Sequence, residues 1–114
     1  MRADGVSELG LTLPVMRAVD EETAFLRFPV LAKDKAAVLD EAVRRGVELG
    51  DWFVSPVHPN LEGWEKAGYA AGSCPNSESL CRRIINLPLH RRIGAPAVRR
   101  TLAFLAGAKE KGWL

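Results

Sequence analysis

The sequence predicts a small α/β domain, a two-layer sandwich in which a sheet of about three strands carries helices on one face. Two observations lead to this fold class. Short β-rich segments alternate along the chain with helical segments, and each helical segment is apolar on one side only. The chain has 114 residues, of which 47% are hydrophobic and 26% charged, the size and balance of one soluble globular domain.

The first strand is predicted within residues 23–31, which are rich in aromatic and β-branched side chains. Pro29 lacks the N–H that a central strand would donate, so we expect an edge strand or a bulge here. Residues 1–22 mix glycines and a proline with isolated aliphatic side chains and are expected to form an irregular lead-in. The domain itself is therefore expected to span residues 23–114.

The clearest helix is predicted after Asp34, a residue type that caps helix N-termini. Gly46 supplies the left-handed stop at its other end. A second strand is predicted over residues 51–57, and residues 60–72 are expected to form a loop around one short helical turn. The apolar stripe of the helix consists of Val38, Leu39, Ala42 and Val43.

A second helix is predicted from Pro75, followed by a short extended segment over residues 86–90. The last helix follows the turn at Gly94 and is expected to weaken at Gly107 and Gly112. The apolar stripe of the second helix consists of Leu80, Cys81, Ile84 and Ile85, and that of the last helix of Val98, Leu102 and Leu105.

The face of the sheet opposite the helices has no obvious cover within this chain. Its expected members are Phe25, Phe28, Trp52 and Phe53. An exposed apolar patch of this kind marks a surface that contacts a partner.

The net charge of +2 conceals a strong asymmetry along the chain. Residues 1–78 carry 8 basic and 13 acidic side chains, whereas residues 79–114 carry 8 basic and 1 acidic. This segment is either a solvated helix face that the acidic half neutralises, or a surface for phosphate or an acidic partner. Nucleic acid is disfavoured because aromatic residues are not interleaved with the arginines. The candidate anion-binding residues are Arg82, Arg83, Arg91 and Arg92.

The chain is expected to be cytoplasmic, because it has neither a signal peptide at its start nor an apolar stretch of about 18 residues for a membrane span. Cys74 and Cys81 form no CxxC motif, which favours reduced structural thiols. The two histidines, His58 and His90, have no third ligand at a helpful spacing, so no metal site is predicted.

Several segments that are weak signals alone form a specific set in their order and spacing. They are Phe28-Pro29-Val30-Leu31, Arg45-Gly46-Val47-Glu48, Trp52-Phe53-Val54-Ser55-Pro56-Val57-His58, Cys74-Pro75-Asn76-Ser77-Glu78 and Ile85-Asn86-Leu87-Pro88-Leu89-His90. Together they resemble the C-terminal small domain of the DegT-type sugar aminotransferases, over roughly residues 25–107. These are pyridoxal-phosphate (PLP) enzymes of the aspartate-aminotransferase fold, which transfer an amino group to a nucleotide-linked keto-sugar.

The resemblance implies site residues. His58 would contact the sugar nucleotide, with Ser55 as a weaker companion. Many members of the family carry His-Tyr where this chain has Trp52-Phe53, which changes the hydrogen-bonding groups available to the sugar. The segment that ends at His90 is, by resemblance, mainly a packing strand.

Relatives hold PLP in a large N-terminal domain that supplies the Schiff-base lysine, and no such domain precedes residue 25 here. No catalytic residue and no cofactor are therefore expected in this chain. We expect a chain that is non-catalytic alone, either a remnant or half of a split enzyme, whose partner is a separately encoded PLP domain or a second copy. The alternative is an anion-binding or protein-binding assembly module that uses the basic C-terminal third.

Overall fold

A computed structural model of the chain describes residues 8–12 and 26–114. Its elements are strand β1 (Phe28–Leu31), helix α1 (Lys35–Arg44), a 3₁₀ turn (Trp64–Ala67), helix α2 (Pro75–Cys81), strand β2 (Ile84–Leu87) and helix α3 (Ala95–Glu110). The predicted α/β class is confirmed. The predicted lead-in falls largely on residues 1–7 and 13–22, which lie outside the described residues.

The sheet of the described residues consists of β1 and β2, which pair antiparallel with Phe28 opposite Leu87 and Val30 opposite Ile85. Single contacts extend it on both sides. The amide of Leu31 donates to the carbonyl of Thr12 at 2.8 Å, and Gly50 forms an isolated bridge with Asn86. Within residues 8–12 and 26–114 the expected three or so strands are thus corrected to two strands with one added bridge.

The strand predicted over residues 51–57 does not form. Gly50 exchanges two backbone hydrogen bonds with Asn86, at 2.8 and 2.9 Å, and the chain then leaves the sheet. Pro56 and Pro59 have no N–H to donate to a ladder, and residues 54–59 form bends and turns. The aromatic pattern at Trp52–Phe53, which resembles a strand in the sequence, belongs to a surface loop.

Helix α1 begins and ends where its local signals predict. The Asp34 carboxylate accepts a hydrogen bond from the amide of Ala37 at 3.0 Å, and Gly46 has a φ of 62°. Val38 and Ala42 of the predicted stripe are buried, whereas Val43 is 80% exposed. The apolar stripe of this helix is therefore narrower than predicted.

Helix α2 begins at Pro75 as predicted, but it ends at Cys81. Ile84 and Ile85, which were expected on its apolar stripe, open β2 instead. The physical reason is pairing with β1, in which these two β-branched residues lie opposite Leu31 and Val30. The extended segment expected over residues 86–90 accordingly starts earlier, and β2 ends at Leu87.

Helix α3 runs through Gly107, where weakening was predicted, and continues to Glu110. Pro96 lies in its first turn, where a missing N–H costs no intrahelical hydrogen bond. Phe104, Leu105 and Ala108 are buried on its inner side. None of the helices that the structure describes is both long and apolar enough to cross a membrane.

The core lies between one face of the sheet and the two longer helices. Alternation along β1 and β2 places Phe28, Val30, Ile85 and Leu87 on that face, and they form one cluster with the inner residues of α1 and α3. Phe28 is only 8% exposed, so its predicted place on the uncovered face is wrong, because strand alternation puts its side chain on the core face together with that of Val30. Phe25, also predicted there, lies outside the described residues.

Part of the opposite face of the sheet is covered from within the chain, contrary to the expectation that it has no cover. Its members Leu31 and Asn86 are 7% and 4% exposed. The side-chain amide of Asn86 donates to the carbonyl of Trp52, so the loop that follows Gly50 lies against this face. Trp52 and Phe53 remain exposed as predicted, at 41% and 48%.

The end of the chain returns to the start of α1. The amides of Lys33 and Asp34 donate to the carbonyl of Trp113 at 2.8 and 3.1 Å, and the Lys33 ammonium donates to that of Leu114 at 2.9 Å. The Leu114 side chain is 6% exposed and belongs to the core. The last residues are therefore an integral part of the helical layer.

Glu41 forms an ionic cluster on α1. It accepts hydrogen bonds from Arg44 at 2.6 and 2.9 Å and from Arg45 at 2.8 Å, and the Lys111 ammonium lies 3.5 Å away. The hydrogen bonds from Arg44 and then Arg45 lower the pKa of Glu41 from 4.5 to about 2. The cluster thus connects α1 to the residue that follows α3.

We expect Glu41→Gln to lower the free energy of unfolding at neutral pH and to lower it much less at pH 2. A carboxylate with a depressed pKa in the folded state stabilises that state above its unfolded pKa, and this contribution is lost as the pH falls through the folded value. The difference between the wild type and the variant should therefore shrink between pH 4.5 and about 2. Urea unfolding at several pH values measures it, and a constant difference across this window would contradict the ionic role of Glu41.

Candidate functional site

The loop of residues 51–60 carries the side chains that the sequence singled out, and it is fastened to the rest of the domain by Lys35. The Lys35 ammonium forms an ion pair with the Asp51 carboxylate and donates to the carbonyls of Phe53 at 3.3 Å and Cys81 at 2.9 Å. Since an ammonium has three donors, this one is fully used. Together with Asn86, which holds the carbonyl of Trp52, it joins the loop to α1, α2 and β2.

Trp52, Phe53 and His58 form one aromatic cluster. The centroid of the His58 ring lies 4.8 Å from that of the Trp52 ring, with the two planes tilted by 32°. It lies 5.5 Å from the centroid of the Phe53 ring, in an edge-to-face arrangement. The guanidinium carbon of Arg27 lies 4.1 Å from the centroid of the Trp52 ring. Contacts of these kinds fix ring orientations while the outer surfaces of both hydrophobic rings stay half exposed. The cluster is an ordered aromatic surface open to solvent.

The His58 ring has a defined hydrogen-bond arrangement. Its Nδ1 accepts from the amide of Val54 at 3.3 Å, which leaves the proton of the neutral ring on Nε2. The histidine can therefore donate one hydrogen bond to an acceptor such as a sugar hydroxyl or a phosphate oxygen. This chemistry agrees with the contact predicted for His58, and its substrate role stays a prediction.

Ser55 lies in the same loop as the aromatic cluster and is 3% exposed. Its hydroxyl donates to the carbonyl of Asn60, which also accepts from the indole nitrogen of Trp64 at 3.0 Å. The hydroxyl thus closes the turn that presents His58. A direct contact between Ser55 and a substrate stays a prediction.

A second group of hydrogen bonds, centred on Glu78, holds the following loop, and the sequence did not predict it. The Glu78 carboxylate accepts from the Tyr69 hydroxyl at 2.8 Å and from the Gly72 amide at 2.6 Å. These hydrogen bonds, that of Tyr69 first, lower the pKa of Glu78, while burial and then the bond to Glu78 raise the pKa of Tyr69. The ring of Tyr69 also packs edge to face against that of Trp64, with 5.8 Å between the ring centroids.

The four candidate anion-binding arginines do not form one site. Arg82 lines a groove of about 510 Å³ with Lys33 and Lys35. The Nε of Arg83 donates to the carbonyl of Ala32 at 3.3 Å, which gives that side chain a structural role. Arg92 lines a different cleft, of about 560 Å³, and Arg91 lies exposed outside both cavities.

Lys35, Asn86 and Arg27 are the residues of this surface that sequence reasoning missed. Asn86 could have been identified from the sequence, since a polar residue inside an aliphatic strand is unusual unless it is hydrogen-bonded. No sequence pattern marks Lys35 and Arg27, because their partners lie far along the chain. Among the residues that the structure describes, no three histidine, cysteine or acidic side chains come together as metal ligands.

Comparison with solved structures places the fold. The chain is similar to S. venezuelae DesV, solved in complex with a ketimine intermediate, with a TM-score of 0.76 and 24% identity over 95% of this chain and 29% of that one. It is also similar to a DegT DnrJ EryC1 StrS aminotransferase from Brucella abortus, with a TM-score of 0.70 and 20% identity over 92% of this chain and 27% of that one. The chain therefore spans less than a third of either protein.

No curated protein matches the sequence significantly. The family model described as the DegT/DnrJ/EryC1/StrS aminotransferase family does match, over residues 3–105. This match covers most of the chain and agrees with the fold of both solved structures. The chain belongs to the DegT/DnrJ/EryC1/StrS aminotransferase family.

Proposed function

We propose that this chain serves as the small-domain part of a DegT-type sugar aminotransferase, where its aromatic cluster forms one wall of the site for a nucleotide-linked keto-sugar. The family match supports the enzyme class. The cluster supports the location, because Trp52 and Phe53 are about half exposed although the loop that carries them is fastened at several points. A fixed, exposed aromatic surface with one histidine donor suits a sugar or a base.

The residues of the loop would make different kinds of contact with a ligand. Flat aromatic rings provide apolar contact area for the planar or ring-shaped part of a ligand. His58 provides the polar contact, because its Nδ1 is occupied and its Nε2 proton is the one available. Trp52 can donate one side-chain hydrogen bond, from its indole N–H, and Phe53 can donate none, whereas both side chains of a His-Tyr pair can donate. Recognition here would therefore depend more on stacking.

Family members use PLP, and the residues of this chain do not fit that cofactor. All five lysines lie within the described residues. Lys33 and Lys109 donate to backbone carbonyls, Lys35 is fully used, Lys66 is exposed, and Lys111 stands 4.5 Å over the ring of Trp113. None is a free amine in a desolvated pocket of the kind that covalent amine chemistry requires.

It follows that amino transfer needs a PLP-bearing region outside this sequence. That region would supply the lysine and the phosphate-binding groups, whereas this chain would bind and orient the sugar nucleotide. A separately encoded PLP domain or a second copy of the chain is the expected partner. A chain that remains as a non-catalytic remnant would keep the same surface without such a partner.

The test uses the three tryptophans as internal reporters in an NMR titration with UDP-glucose or dTDP-glucose. We expect the indole N–H signal of Trp52 to shift in a saturable way and that of Trp113 to stay in place. His58→Ala should weaken this binding about tenfold, the value of one hydrogen bond to a charged group.

Leu61→Ala is the control, because it truncates an exposed side chain of the following loop that is not part of the aromatic cluster. Thermal unfolding of each variant verifies that it is folded. If Trp52 does not respond to either sugar nucleotide, or if Leu61→Ala weakens binding as much as His58→Ala, the proposed substrate wall is wrong.

A further inference from the structure

A cleft of about 560 Å³ lies on another part of the molecule, between the segment after α1, the segment after β2 and the first turns of α3. We call it the arginine cleft. Its volume lies within the range of sites for small molecules. Its lining includes Val47, Glu48, His90, Arg92, Arg100 and Thr101.

The charges that line the arginine cleft are mainly positive. Arg92 and Arg100 bring two permanent charges, and Glu48 is the one acid in its lining. The Oε1 atom of Glu48 lies 2.8 Å from Nε2 of His90, so its carboxylate is already partnered. Within residues 8–12 and 26–114, neither arginine has a carboxylate oxygen within 4 Å.

His90 fixes the loop that carries one of the arginines. Its Nδ1 accepts from the backbone amide of Arg92 at 3.3 Å while its Nε2 faces Glu48. Both ring nitrogens are thereby used, and the histidine connects the segment after α1 to the segment after β2. The backbone of Arg92 is positioned before any ligand arrives, which reduces the entropy that binding would cost.

The walls of the cleft add an apolar part. Val47 is 7% exposed and Thr101 is 5% exposed, and Ile93 and Pro88 complete this side. The first turn of α3, which reaches the cleft at Ala97, has no acidic residue and no side-chain cap, so the helix dipole adds to the positive potential. The helix only reinforces a field that the two arginines establish.

We propose that the arginine cleft is a binding site for a phosphate monoester, with Arg92 and Arg100 holding the phosphate and Val47 and Ile93 contacting the organic part. A dianion matches two guanidinium groups, whose planar donors bind phosphate oxygens in pairs. The apolar wall favours an ester over free phosphate. This site is distinct from the aromatic cluster and does not depend on the proposed function.

The experiment is an NMR and calorimetric titration of the full chain with phenyl phosphate and, separately, inorganic phosphate. We expect saturable one-to-one binding of phenyl phosphate, weaker binding of inorganic phosphate, and shifts of the backbone amides of Thr101 and Ala97. Arg92→Gln and Arg100→Gln should each weaken phenyl phosphate binding about tenfold or more.

The chain offers two matched controls, because Arg91 and Arg99 are exposed like Arg92 and Arg100 but do not line the cleft. Arg91→Gln and Arg99→Gln remove the same charge and should change the affinity less than about twofold, since exposed charges act weakly at a distance. Glu48→Gln should act in the opposite direction and tighten binding, because it removes the one negative charge in the lining.

Two results would overturn the site. Shifts that rise linearly with phosphate and never saturate would mean a diffuse basic surface. Equal losses in all four arginine variants would mean that net charge, and not the cleft, attracts the anion. Melting temperatures of the variants show that each compared protein is folded, so a loss of binding reports on the site itself.

Discussion

Lys35→Met is expected to lower the free energy of unfolding by about 2 kcal/mol and to release the loop that carries the aromatic cluster. The change keeps the apolar stem but removes the ion pair with Asp51 and the hydrogen bonds to the carbonyls of Phe53 and Cys81. Hydrogen bonds from a charged group contribute about 1.5–3 kcal/mol. The Lys35 side chain is 11% exposed, whereas Asp51 is 44% exposed, so solvent weakens the ionic part.

Urea unfolding measures the loss of stability, and the indole signal of Trp52 reports on the loop. Lys66→Met is the matched control, since Lys66 is exposed and its replacement should change stability by less than about 0.5 kcal/mol. The fastening role would be refuted if Lys35→Met matched the control in stability and left the Trp52 signal unchanged.

Leu105→Ala is expected to cost about 3 kcal/mol, the largest effect among these substitutions. Leu105 is 0% exposed and belongs to the cluster between α3 and the sheet, where truncation leaves a cavity. Leucine-to-alanine changes at such positions cost about 2–5 kcal/mol, from lost transfer energy and the cavity together. In a domain of this size that is a large part of the total stability.

The comparison is Leu61→Ala, which makes the same chemical change at a residue that is 69% exposed. This variant should stay within about 0.5 kcal/mol of the wild type. Unfolding in urea with an unchanged slope would show that the midpoint reports stability alone. A similar loss in both leucine variants would mean that α3 does not pack as described.

Local signals explain which parts of the fold could be predicted. Helix α1 is specified within itself, by the Asp34 cap and the Gly46 stop, and both form as expected. The boundary between α2 and β2 could not be predicted in this way, because Ile84 and Ile85 fit a helical stripe as well as a strand. Their pairing with β1, more than fifty residues earlier, decides between the two.

The residues of the candidate site likewise fall into those that the sequence predicts and those that it does not. Trp52, Phe53 and His58 were identified through the family resemblance, and the structure brings these three rings together. Lys35 was not identified, because its partners include a backbone carbonyl 46 residues away, which no sequence pattern records. Asn86 likewise acts on a carbonyl 34 residues away. The rings are visible in sequence, whereas the groups that hold them are not.

The side chain of Asn86 gives the loop an unusual kind of stability for a surface segment. Its backbone belongs to β2, in the middle of the sheet, while its amide group holds the carbonyl of Trp52. Surface loops commonly open by local fluctuations that leave the core intact. Here the carbonyl is anchored on a strand whose neighbours Ile85 and Leu87 are fully buried, so opening at Trp52 is coupled to disturbance of that strand. The loop of the aromatic cluster and the core therefore form one cooperative unit, which should exchange its amide hydrogens together.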